Sequence, residues 1–159
     1  MQVQQGLQAG SPFIPTSADE KQRECFWLNH TLLHLQRMVQ ATDPIYTRAV
    51  DLMLMGGLAT VCRSYYRLRD LPWEGEKTAL RHLQQADPAY LALLDSCLAA
   101  TARHAKVDYY AQLVAATLAG VGELWQPGGT AVILHNVDEQ ADRGHEGVAF
   151  WEELLRAAT

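Results

Sequence analysis

Eleven consecutive residues, Leu52–Cys62 (LMLMGGLATVC), carry no charge. They lie within a helix-length segment that opens on Asp43-Pro44 and runs to about Arg69. Aspartate before a helix accepts from an exposed backbone N–H, and proline in the first turn lacks only a donor that would be unpaired anyway. A helix uncharged on every face has to be surrounded by protein. The run therefore predicts a central helix with other helices packed around it. Gly56-Gly57 in its middle costs about 1 kcal/mol per glycine relative to alanine, and close approach of a second helix backbone would offset that.

The rest of the chain supplies the covers. Ser17-Ala18-Asp19-Glu20 is a capping box, in which hydroxyl and carboxylate satisfy backbone donors reciprocally. Phe26, Leu28, Leu32, Leu33, Leu35, Met38 and Val39 follow at helical spacing, and this helix should end near Ala41. Leu71-Pro72-Trp73-Glu74-Gly75 reads as a turn. A third helix is expected over about 75–85. Asp87-Pro88 repeats the cap for a fourth, about 88–104. A fifth, about 107–125, is again almost uncharged in its middle and is stopped by Gln126-Pro127-Gly128-Gly129. Residues 130–137 suit a short strand or a helix start, and no second strand is present to pair with them. A last helix is expected over about 143–157. Residues 1–16 read as a flexible lead, and 17–159 as one all-α domain, an antiparallel bundle of five to six helices with short links.

Composition limits the function. The 159 residues are 48% hydrophobic with a net charge of −5, which fits a globular domain and argues against a nucleic-acid binder needing a basic face. Cys25, Cys62 and Cys97 are far apart and form no C-x-x-C, so three reduced, inert thiols are expected, and with them a cytoplasmic location. The first residues have no basic start or apolar stretch of a secretory signal, and the uncharged runs Leu52–Cys62 and Tyr109–Gly122 are too short or interrupted to suggest a membrane span.

Two clusters carry candidate chemistry. His30 and His34, at i and i+4, put two imidazoles on one helix face and could share a metal if a third ligand, such as His135 or His145, joined them. Ordinary hydrogen-bonded histidines are the simpler reading. At the second turn Arg63, Arg67 and Arg69 crowd the end of one helix, and Lys77, one of three lysines in the chain, follows the corner. A helix dipole alone accounts for arginines there. The functional reading is that Arg63, Tyr66 and Lys77 converge on an anion such as a triphosphate.

The stretch Leu58–Leu68 (LATVCRSYYRL), a turn with Gly75-Glu76-Lys77, a helix, then Asp87-Pro88 and another helix resembles the helical C-terminal domain of small-molecule nucleotidyltransferases. These are the DNA-polymerase-β-like enzymes that include the aminoglycoside adenylyltransferases. The resemblance covers about 58–104. It implies that Lys77 holds a nucleotide triphosphate, helped by Arg63 and Tyr66, and that Glu74 or Glu76 lies near a substrate cleft. The sequence departs from that family in having no D-x-D, and Gly10-Ser11 has no strand behind it. The metal-binding carboxylates of phosphoryl transfer are therefore missing, and this chain holds no complete catalytic motif. ATP–Mg²⁺ would come through a separate catalytic subunit, with this chain as an accessory or substrate-binding domain. Two other readings stand beside it: a homodimeric helical interaction module, suggested by four tryptophans and apolar stripes on nearly every helix, and a His30/His34 metal-binding bundle.

Overall fold

The computed structural model describes residues 14–125. Within them the chain is all-α. Five helices follow in order: α1 (Ala18–Met38), α2 (Pro44–Leu68), α3 (Glu76–Ala86), α4 (Pro88–Ala99) and α5 (Arg103–Leu118), with no strand among the described residues. The expectations for 130–137 and for a helix over 143–157 lie outside the described residues.

The caps sit where the sequence puts them. The Glu20 amide donates to Ser17 Oγ at 3.3 Å, and the Ser17 amide donates to Glu20 Oε2 at 2.9 Å. Asp43 Oδ1 accepts from the Ile45 amide at 2.8 Å, and Asp87 Oδ1 from the Tyr90 amide at 3.0 Å. Each such cap is worth about 1 kcal/mol. The later boundaries differ from expectation. Helix α4 stops at Ala99 and α5 begins at Arg103, with an extended Ala100 between them. No side chain caps the start of α5, so nothing in the sequence marked it. Helix α5 ends at Leu118, where Gly120 takes a φ of +79°, a conformation open to glycine and costly for other residues.

Helices α1 and α2 run antiparallel, as do α4 and α5. Lys21 and the Thr16 amide, at the start of α1, meet Asp70 beyond the end of α2. Tyr90 in α4 reaches Thr117 late in α5, whereas Cys97 reaches Lys106 early in α5. The pair α2 and α5 is different. Asp51 meets Arg103, Gly57 meets Tyr110, and Arg69 meets Thr117, so these two helices are parallel. Helices α3 and α4, between them in the chain, return it to the starting end.

The core lies where α5 is flanked by α1, α2 and α4. Leu35, Val50, Val61, Leu113 and Val114 are fully buried, with Tyr90 and Tyr110 the largest side chains inside. The paired glycines meet a side chain on one side, not the second helix backbone expected there. A Cβ on Gly57 would come within 3.1 Å of the Tyr110 ring, whereas Gly56 faces open space. Helix α2 is thus not surrounded, contrary to the expectation from its uncharged run: Leu52 is 70% exposed and Met55 is 74% exposed. Lack of charge reports hydrophobicity around the helix; α2 packs mainly against α1 and α5, and its last turns also meet α3 and α4.

Candidate functional site

The corner between α2 and α3 uses its charges internally. Arg63 Nη2 donates to Glu76 Oε1 at 3.1 Å, and its guanidinium lies 5.7 Å from the Trp73 ring centroid. The hydroxyl of buried Tyr66 donates to the Ala79 carbonyl at 2.8 Å and lies 3.0 Å from His82 Nδ1. Arg67 pairs with Glu24 on α1 at 3.2 Å. Glu74 and Lys77 are exposed, and neither forms an ion pair among the described residues. Of Arg63, Tyr66 and Lys77, then, one is matched to a carboxylate, one is sealed in the α2–α3 contact, and one stands in solvent. The sequence reading missed His82 and Trp73, whose partners lie on the neighbouring helix.

Arg69 has a different task from the one its position suggests. Its guanidinium donates to the carbonyls of Ala116 and Thr117, both at 2.9 Å, and stacks 4.0 Å from the Tyr65 ring centroid. The dipole it serves is chiefly that of α5, with a longer bond of 3.4 Å to the Tyr65 carbonyl of α2. The fork geometry of arginine allows two carbonyls to be met at once.

A second feature lies at the other end of α1. Rings stack along its outer face: Phe26 is parallel to His30 at 5.9 Å and 12°, Trp27 is edge-on to His30 at 5.6 Å, and His34 follows at 6.3 Å. An open cleft of about 340 Å³ adjoins this ladder, lined by His30, His34, Arg37, Met38, Ala41 and Tyr46. Arg37 and Tyr46 escaped the sequence reading, although His30, His34 and Arg37 recur at i, i+4 and i+7 on one face. No group of three or more metal-ligating side chains occurs among the described residues. His135 and His145 lie outside them.

A third feature is the outer face of α2. Ile45, Arg48, Leu52, Met55, Gly56, Ala59 and Arg63 are all exposed. At 100° per residue they fall on one side of the helix, opposite buried Val50, Leu54, Val61 and Leu68. Between the two arginines this stripe is wholly apolar or small.

The three thiols are unreactive by environment. Burial pushes Cys25 and Cys97 above their ordinary value and Cys62 up to about 11. All three remain protonated near neutrality, and it is the thiolate that reacts.

No family model matches the chain, and no curated protein or solved structure is similar to it.

Proposed function

We propose that this chain is a helical interaction module that pairs with a second copy of itself through the exposed face of α2. The observation that carries this reading is the stripe itself. Leu52 and Met55 stand almost free of the fold, on a helix whose opposite side is core. Exposed large apolar side chains scattered singly need no explanation, but a contiguous set does.

The occupant is a second copy because the stripe is complementary to itself. Large residues, Leu52 and Met55, precede Gly56, and small ones, Gly56, Ala59 and Thr60, follow from it. An antiparallel pair related by a two-fold axis beside Gly56 sets the large half of one helix against the small half of the other. Isologous contact of this kind is the commonest form of oligomer. The ends also match in charge. Arg48 has no ion-pair partner among the described residues. Antiparallel pairing brings it to the second copy's Arg63–Glu76 pair, where a carboxylate is 67% exposed.

Sedimentation velocity across a wide concentration range tests this. The wild type should dimerise, and Leu52→Lys should be monomeric with unchanged helicity by circular dichroism. Met55→Cys should cross-link on mild oxidation, because the axis passes beside that position. A wild type that stays monomeric at the highest concentration overturns the proposal. So does association that survives Leu52→Lys. Helix α2 has a mean hydropathy of 1.3 over its best window and is long enough to cross a membrane by length and composition. Flotation of the wild type, but not of Leu52→Lys, with lipid vesicles would replace the second copy by a bilayer.

The nucleotide-binding reading rests on Lys77 alone, since Arg63 and Tyr66 are engaged within the corner. Titration of the wild type and Lys77→Ala with ATP–Mg²⁺ separates it from pairing through α2.

A further inference from the structure

We infer that the cleft between the last turn of α1 and the first turn of α2 is a binding site for a small organic oxyanion, a carboxylate or phosphate ester carried on a flat apolar body. The cleft is in the size range of small-molecule sites. Four of its six lining side chains can donate hydrogen bonds, namely His30, His34, Arg37 and Tyr46, and no carboxylate lines it. None of these four side chains hydrogen-bonds another described residue or joins an ion pair. Arg37, like Arg48 and Lys77, has no ion-pair partner among the described residues, and of these three it is the one that lines the cleft.

Capping of α1 does not account for Arg37. The carbonyls of Leu35, Arg37 and Met38 already accept from the amides of Val39, Gln40 and Ala41 at 2.9, 3.4 and 3.1 Å. The corner joins the carbonyl end of α1 to the amide end of α2, so the two helix dipoles oppose one another there. The sign of the cleft is then set by its side chains: the Arg37 guanidinium lines it, whereas the Asp43 carboxylate of the same corner is engaged by the Ile45 amide as the cap of α2.

Geometry selects the ligand further. The His30 ring lies beside Phe26 and Trp27, neighbours that restrict its rotamers and lower the ordering cost at binding. Arginine's planar fork matches a carboxylate or phosphate with two parallel hydrogen bonds. Met38 and Ala41 supply apolar lining beside these donors, which suits a ring or short chain attached to the anion. Carboxylate and phosphate share this chemistry, and the choice between them is left to the titration.

Isothermal titration with phenyl phosphate, benzoate and inorganic phosphate, with neutral benzamide as control, tests the site. One or both organic anions should bind, benzamide should not, and inorganic phosphate should bind more weakly than phenyl phosphate. Arg37→Gln should weaken binding at least about ten-fold, roughly 1.4 kcal/mol, without lowering the melting temperature. Lys77→Gln should leave it unchanged, which also separates this cleft from the α2–α3 corner. Equal binding of benzamide, or insensitivity to Arg37→Gln, overturns the inference. Zn²⁺ shifting the His30 and His34 ring resonances while neither anion binds would make the pair a metal site and would equally overturn it.

Discussion

Two adjacent glycines in α2 meet opposite environments, and their substitutions should differ in sign. Gly56→Ala adds a methyl to open space and removes glycine's backbone entropy from a helix interior. It should stabilise the isolated chain by about 1 kcal/mol. Gly57→Ala gains the same propensity but drives a Cβ to 3.1 Å from the ring of Tyr110, which is 1% exposed and has no room to retreat. Overpacking of that kind costs about 1–3 kcal/mol, so the net change should be destabilising. Urea midpoints at a protein concentration low enough to avoid pairing read both, and equal shifts would show that Tyr110 yields freely. Arg69 gives a second test at this scale. Lysine in its place keeps the charge but cannot meet Ala116 and Thr117 together. Arg69→Lys should lower stability by about 1–3 kcal/mol, while Arg63→Lys, at an exposed pair, should change it by less than about 1 kcal/mol.

Helices α1, α2 and α4 were legible because their starts are written locally: Ser17 with Glu20, Asp43 with Pro44, and Asp87 with Pro88 each act within three residues. The start of α5 has no such side chain and was placed four residues late. Contacts between elements were not legible at all. Arg63, Arg67 and Arg69 look alike on one helix end, yet they serve α3, α1 and α5 in turn. No spacing rule separates them, because each partner comes from a different helix. The same holds for Asn29, which is buried at mid-α1. Its Nδ2 donates to the Glu123 carbonyl at 3.0 Å, and its Oδ1 accepts from the Trp125 amide at 2.9 Å. Those partners are 94 and 96 residues away in sequence, so nothing near Asn29 in the chain points to the clamp. Asn29→Ala should free the segment after α5. Hydrogen exchange at the Trp125 amide should accelerate strongly while α2 and α4 keep their protection, and unchanged exchange there would show that the clamp is not what holds the segment.

For the molecule as a whole, the same pairs that tie helices together set its response to pH. Lys21 and the Thr16 amide hold Asp70 below its ordinary value of 3.8, and Arg103 does the same for Asp51. A carboxyl whose folded pKa is depressed contributes stability above its unfolded pKa and loses it as pH falls through the folded one. Both ties, α1 to the end of α2 and α2 to α5, should therefore hold at neutrality and fail below about pH 4. On the alkaline side the shifts are raised by burial, Cys62 from 9.0 to about 11 and Tyr110 from 10.0 to about 12. Groups of that kind contribute stability below their unfolded pKa and lose it as pH rises through the folded value. The stability profile should be a plateau with an acid edge and an alkaline edge that begins near pH 9. The edges have separate causes, so they should move separately. Asp70→Asn combined with Asp51→Asn should lower the plateau and flatten the acid edge, because neither side chain can then take up a proton. Cys62→Ala should leave the acid edge alone and shift the alkaline one upward. Urea midpoints measured from pH 3 to pH 11 on the three proteins would show this, and an acid edge that the double variant leaves intact would move the cause to other carboxylates, of which Glu20, held low by Ser17, and Glu76, held low by its own backbone amide and by Arg63, are the next to test.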